Sequence, residues 1–223
     1  MPRANRNSFK KILVTAGPTR EMLDPVRFIT NLSTGEMGYA IAQKAKEKGF
    51  QVTLISGPTD LKPPKGVRLI PIVTVRDLER ELKKHFRRNE VLIMSAAVGD
   101  FIPEKRASRK IARRNQWRIT FRQSPDLVRE AARRKGRRLV IGFSLETHDW
   151  IRRSRAKMTR KNLDGIVANC FSSHHNPFGK TQVRAALIHK RKSRILHSRS
   201  KLEFAGKLVD WLWELARVKV SKN

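Results

Sequence analysis

The feature that most restricts this chain is an alternation of two hydrophobic periodicities. Lys11–Ala16 (KILVTA), Gln51–Ser56 (QVTLIS), Val67–Val73 (VRLIPIV), Glu90–Ala97 (EVLIMSAA), Leu139–Glu146 (LVIGFSLE) and Gly165–Asn169 (GIVAN) are short, rich in Val, Ile and Leu, and bounded by Gly, Pro or Asp. Near-continuous apolar runs of this kind suit strands covered on both faces. Between them, Gly35–Lys48, Val75–Arg88, Pro125–Arg134 and Asp149–Lys161 repeat apolar residues at helical spacing, as Leu78, Leu82 and Phe86 do. Helix starts are marked by Thr74 with Asp77, by Ser124 ahead of Pro125 at the first helical position, and by Ser200-Lys-Leu-Glu203, which opens a last helix to about Val218. Alternating β and α in this way predicts an α/β, Rossmann-like, doubly wound and mainly parallel sheet with helices on both faces. Gln116–Gln123 and Arg184–Ser198 read as additional strands.

A chain of 223 residues suits one such domain, expected over 11–218 with a basic tail before it (1–10) and a short tail after it (219–223). No apolar run approaches the roughly 18 residues of a membrane span. The first eleven residues carry no apolar segment, which argues against a secretory signal, and the single cysteine, Cys170, cannot form an internal disulfide; a cytoplasmic location is expected. Cys170 is expected to be a buried small side chain rather than a nucleophile. Two irregular stretches stand out. Phe101–Asn115 clusters basic residues without periodicity and reads as a long functional loop. Phe171–Gln182 carries His174 and His175, but adjacent histidines point apart and no third ligand accompanies them, so no protein-held metal is expected.

The net charge of +31, from 50 Lys+Arg against 19 Asp+Glu, asks for an anionic partner. Basic clusters at Lys83–Arg88, Arg133–Arg138 and Lys180–Lys201 motivate one reading, a basic nucleic-acid-binding protein on an α/β scaffold. Against it, the chain has one Tyr, Trp211 and Trp213 sit in the apolar last helix, and no nucleic-acid-binding motif is recognisable, so no specific nucleic acid is expected.

The chemistry concentrates after the first strand. Thr15-Ala-Gly-Pro-Thr-Arg20 lies where a doubly wound fold places its ligand crevice, yet with Gly17 alone in the turn it is no dinucleotide fingerprint. In Asp24–Gly38, Ser33, Thr34 and Gly35 open a helix, whose free N–H groups and dipole suit a phosphate; the plainer reading is a helix cap with a loop asparagine.

Taken together, TAGPTREMLDPVRFITNLSTGEMG, LISGP at Leu54–Pro58, SAAVGDF at Ser95–Phe101, Lys110-Ile111, GFSLET at Gly142–Thr147 and KNLDGIVAN at Lys161–Asn169 resemble, in order, the phosphopantothenate–cysteine ligase family of coenzyme A synthesis. The resemblance implies a homodimer with an added flap and dimerisation strand region. Its substrates would be 4′-phosphopantothenate, cysteine and a nucleoside triphosphate, CTP in preference to ATP, carried with Mg2+. No flavin is implied, but a separate phosphopantothenoylcysteine decarboxylase is, because only about ten residues precede the first strand. The resemblance also assigns roles. Asn31 would hold an acyl-nucleotide with Arg27 beside it, and Lys110 would sit on a mobile flap (about 101–115) that closes over the triphosphate. Ala96 and Ala97 would present a main-chain donor and acceptor to the base, Asp100 would lie at the ribose, and Phe143 with Gly142 would form the other wall. Lys157 and Lys161, four apart on one helix face, would reach the same phosphates. Glu36 departs from the family's usual lysine and would repel phosphate if it pointed inward.

Overall fold

The computed structural model describes residues 9–113, 115–172, 176–178, 182–190 and 192–220. His174, His175, Gly179 and most of both tails lie outside the described residues. The elements, in chain order, are β1 (Lys11–Ala16), β2 (Arg20–Met22), β3 (Phe28–Thr30), α1 (Glu36–Glu47), β4 (Gln51–Ser56), β5 (Arg68–Pro71) and α2 (Val75–His85), which continues into a 3-10 turn at Phe86–Arg88. Then follow β6 (Val91–Met94), β7 (Phe101–Pro103), β8 (Phe121–Gln123), α3 (Leu127–Arg133), β9 (Leu139–Glu146), α4 (Trp150–Arg160), β10 (Gly165–Cys170), β11 (Val183–His189), β12 (Lys192–Ser198) and α5 (Lys201–Val220).

The eight-stranded main sheet runs β12-β11-β10-β9-β6-β1-β4-β5. From β10 to β5 every pairing is parallel, while β11 and β12 add an antiparallel hairpin. The parallel part has the doubly wound order, reversing direction between β1 and β6, where such folds place their ligands. Expected and observed ends coincide for β1, β4 and β9 because each is a run rich in Val, Ile and Leu that the sheet buries over most of its length. On one face, α1 and α5 pack over Ile12, Val14 and Leu54, with Phe9, Phe50 and Trp213 stacked at the margin. On the other, Leu78, Leu82, Leu127 and Met158 of α2, α3 and α4 cover Leu13, Leu92 and Val140.

The stretch from Arg20 to Thr30 contains the β2–β3 hairpin, whose strands lie outside the main sheet and were not among those expected. Two expectations need correction. Phe101–Asn115 is not wholly loop, since Phe101–Pro103 pairs with Phe121–Gln123, and the strand expected from Gln116 is only this short. Pro125 is not the first residue of α3: the cap is Asp126, whose carboxylate accepts from the Arg129 N–H at 3.2 Å. Asp126 has the stronger acceptor, so the helix starts after it. At Thr74 the expected reciprocal cap forms, with Thr74 and Asp77 each accepting from the other's backbone N–H.

Candidate active site

At the reversal point a cavity of about 820 Å³ opens beyond the carboxyl ends of β6 and β9. Asn31, Ser33, Gly35, Ala96, Ala97, Asp100, Phe143, Lys157 and Lys161 all line it. Gly17, Arg27 and Lys110 are not among its lining residues.

Helix α1 points its start into this space. Gly35 caps it with φ +81° and no side-chain cap bond, and the first helical bond is Tyr39 N–H to Gly35 C=O at 3.2 Å. The preceding N–H groups of Met37 and Gly38 therefore have no helical partner, and both residues face the cavity. Gly17 serves this arrangement from behind. At φ +70° it turns the chain out of β1, and a Cβ there would sit 2.9 Å from the Gly57 carbonyl. It also abuts Gly35, where an added Cβ would lie 3.3 Å from the Gly17 Cα.

Each lysine on the cavity wall meets a carboxylate from another element. Lys157 pairs with Glu146 at 2.5 Å, Lys161 with Asp126 at 3.1 Å, and Lys201, at the start of α5, with Glu36. Lys157 and Lys161 share a helix face but are drawn to different partners. Lys201 answers the question posed by Glu36, whose charge is neutralised at the helix start. Neither Lys201 nor Arg160, which also lines the cavity, stood out in sequence. Arg160 follows Lys157 by three positions, a spacing that placed it on the same face; Lys201 reaches the site only because α5 packs beside α1.

Glu146, at the end of β9, is 6% exposed and accepts from Ser144 Oγ at 2.9 Å and Arg153 Nε at 2.7 Å besides Lys157. Burial alone would raise its pKa, but these hydrogen bonds and the Lys157 charge outweigh it and bring it down to about 2. A depressed carboxylate contributes stability above its unfolded pKa and loses it as pH falls from about 4.5 toward 2. Glu146→Gln should therefore cost on the order of 2 kcal/mol at pH 7, allowing for solvent around the half-exposed Arg153. That difference should shrink on acidification. Urea denaturation at pH 7 and pH 3 checks this, and a loss independent of pH would refute it.

The hydrogen bonds alter two expected roles. The Ala96 N–H donates to Thr15 Oγ1 at 3.1 Å and the Ala97 N–H to the Gly17 carbonyl at 2.9 Å, so neither donor is available to a base. They are consumed in fastening the end of β6 to the turn after β1. The Asn31 amide Nδ2 likewise donates to the carbonyls of Ala97 and Val98 at 3.2 and 3.3 Å, and its donors tie the loop to the same strand end.

Arg27 and Lys110 belong to a neighbouring structure. Asp24 is fully buried and accepts from the N–H groups of Val26 (2.9 Å), Arg27 (2.8 Å) and Ile111 (3.2 Å). Arg27 pairs with it at 3.1 Å, donates to the Ile111 carbonyl and covers the Trp117 ring at 5.2 Å. Desolvation opposes the Asp24 charge, but the three N–H groups and Arg27 hold its pKa below the usual value. The β7–β8 excursion is thus pinned at Ile111, with Lys110 exposed beside the pin. Cys170, expected to be buried, is half-buried at the end of β10. Among the described residues, no three His, Cys, Asp or Glu side chains gather to hold a metal. None of the helices is long and apolar enough to cross a membrane, again among the described residues.

A doubly wound parallel sheet whose cavity lies at the reversal point, beside the start of a helix, defines a Rossmann-like α/β domain. Residues 8–215 match the family described as the DNA/pantothenate metabolism flavoprotein C-terminal domain, and the chain belongs to that family. It is 35% identical over 211 residues to the coenzyme A biosynthesis bifunctional protein CoaBC of Bacillus subtilis, covering 93% of this chain and 52% of the relative. To the protein of the same name from Vibrio cholerae it is 37% identical over 209 residues, covering 92% and 52%. The chain thus spans about half the length of the curated relatives it matches. The crystal structure of the C-terminal domain of a CoaBC protein superposes with a TM-score of 0.79 at 32% identity, over 95% of this chain and 98% of that one.

Proposed function

We propose that this chain is a phosphopantothenate–cysteine ligase, joining 4′-phosphopantothenate to cysteine at the expense of CTP through an acyl-nucleotidyl intermediate. The observation that carries this reading is the open start of α1 facing a cavity walled by Lys157, Arg160, Lys161 and Lys201, within a chain of this family. Family membership favours the ligase over a nucleic-acid-binding protein as the chain's primary role. Glycine-bounded N–H groups and ammonium ions receive phosphates, and Phe143 with the strand end at Ala96 and Ala97 offers a flat slot for a base.

In the first step the pantothenate carboxylate attacks the α-phosphorus and the bond to the β-phosphate oxygen breaks, releasing pyrophosphate. In the second, the cysteine amine attacks the acyl carbon, the acyl–phosphate bond breaks to release CMP, and the amine gives up a proton. The carboxylate is already ionised at neutral pH, so the first step requires placement and charge compensation rather than a base. The walls supply both, because Glu146, Asp126 and Glu36 can surrender their lysines to phosphate oxygens. Asn31 fixes the loop beside the acyl group, and Asp100 lies within reach of a ribose. Magnesium would enter with the triphosphate, as the metal–nucleotide substrate. Homodimer formation fits the exposed apolar side chains Val26, Phe28 and Ile29 at the β2–β3 hairpin.

With the Ala96 and Ala97 donors occupied, a main-chain carbonyl could accept from an exocyclic amine that cytosine and adenine share, so the preference for CTP rests on the resemblance to the family's CTP-using members. Pyrophosphate release with 4′-phosphopantothenate, cysteine and magnesium should be faster with CTP than with ATP. Equal rates, or faster turnover with ATP, would overturn the preference. No cysteine-dependent product with any nucleoside triphosphate would overturn the ligase.

A further inference from the structure

Two basic clusters distant in sequence become one surface in the fold. Helices α2 and α3 lie on the same face of the sheet and both end at the margin where the parallel strands begin. There β6 and β9 start in register, Val91 beside Leu139, and the Leu139 N–H donates to the Glu90 carbonyl at 2.9 Å. The Arg138 guanidinium bridges the clusters, donating to the Arg87 carbonyl at 2.9 Å and lying 5.6 Å over the Phe86 ring. Around this bridge Lys84, Arg87, Arg88, Arg133, Arg134 and Arg137 are exposed, and no carboxylate among the described residues pairs with them. Of the nearby carboxylates, Asp164 is committed to Lys135 and Lys219, Glu79 to Lys83 and Glu90 to the N–H groups of Lys10 and Lys11, while Glu130, exposed on α3, pairs with neither Arg133 nor Arg134.

Cations at helix ends complement the macrodipole, but its effect falls off within the last turn. Arg87, Arg88 and Arg137 lie beyond α2 and α3, so the dipole does not account for them. We propose that this margin, opposite the cavity, is a docking face for the phosphodiester backbone of duplex nucleic acid, bound without regard to sequence. It is a property additional to the ligase reading and independent of it. None of the exposed large apolar side chains falls in these two clusters, so the face lacks what a helix needs to enter a membrane surface. Phe86 is buried at 6% exposure, so the clusters offer no ring on which the bases of a single strand could stack. What they present is a set of unpaired cations, which bind phosphates by releasing counterions.

The test is fluorescence anisotropy of a labelled short RNA duplex with the full chain, titrated between about 50 and 200 mM salt. The triple variant Arg87→Ser, Arg134→Ser, Arg137→Ser should bind at least about tenfold more weakly at low salt, with a salt slope flatter by about 2 to 3. A charge-matched variant, Lys62→Ser, Arg76→Ser, Arg199→Ser, should keep the slope of the unmodified chain. Both variants should unfold at the same temperature as that chain. Equal weakening by the two variants would show that binding follows total charge and would overturn the proposal. So would binding to phosphatidylserine vesicles, lost in the first variant, without binding to the duplex.

Discussion

Lys110→Ala should slow the nucleotide-dependent condensation by about 30- to 1000-fold while leaving the thermal midpoint unchanged. An exposed lysine makes no contribution to the core, so its removal cannot act through the fold. Under the proposed ligase reading its effect would arise if the β7–β8 excursion left its seat at Asp24 and carried the ammonium ion to the triphosphate at the mouth of the cavity. A charged contact made mainly in the transition state is worth roughly 2–4 kcal/mol, which is the range of rate given. Turnover at the unmodified rate would exclude Lys110 from the reaction.

Asp24→Ala should act in the opposite manner, on the structure first and on the rate through it. The substitution leaves the N–H groups of Val26, Arg27 and Ile111 without their acceptor and Arg27 without its counter-charge. Removing one member of such a buried set is among the costly changes available to a protein. We expect the thermal midpoint to fall by several degrees and protease cleavage to appear within 104–120, where the excursion loses its pin. The same weakening should follow acidification of the unmodified chain below the ordinary aspartate range, since the carboxylate is held ionised in the folded state. An unchanged midpoint together with an uncleaved excursion would show that Asp24 is not the anchor.

How much of this was legible in the sequence depends on what fixes each part. The central strands were, because Leu13, Ile55, Ile93 and Ile141 are buried completely and the composition of each run records it. Capping at Thr74 was also legible, since both members of the motif lie within one turn. The β2–β3 hairpin was not: its strands are three residues each and β3 is exposed along its length, so no alternation marks them. The cavity residues named from motifs on strand ends and α4 fell together, but hydrogen bonding among them was invisible. Thr15 and Gly17 claim the donors of Ala96 and Ala97 across a gap of about eighty positions, which no local pattern reports. Lys201 is another such case, since its partner Glu36 lies on a helix at the other end of the chain.

The margins of the sheet carry a consequence for assembly. A sheet with bare edges invites strands from other molecules, and proteins that avoid this shorten or charge their outer strands. Here one outer strand, β5, has four residues and ends in Pro71, which has no N–H to offer a newcomer. The other, β12, carries the exposed cations Lys192 and Arg194, the latter paired with Glu214 at 3.5 Å, and charged side chains on an outer strand disfavour edge-to-edge pairing. Self-association by strand addition is thereby disfavoured at both ends of the sheet. Any pairing of two copies is left to side-chain packing away from the edges, where contacts can be made and broken without unravelling the backbone ladder that holds the cavity in shape.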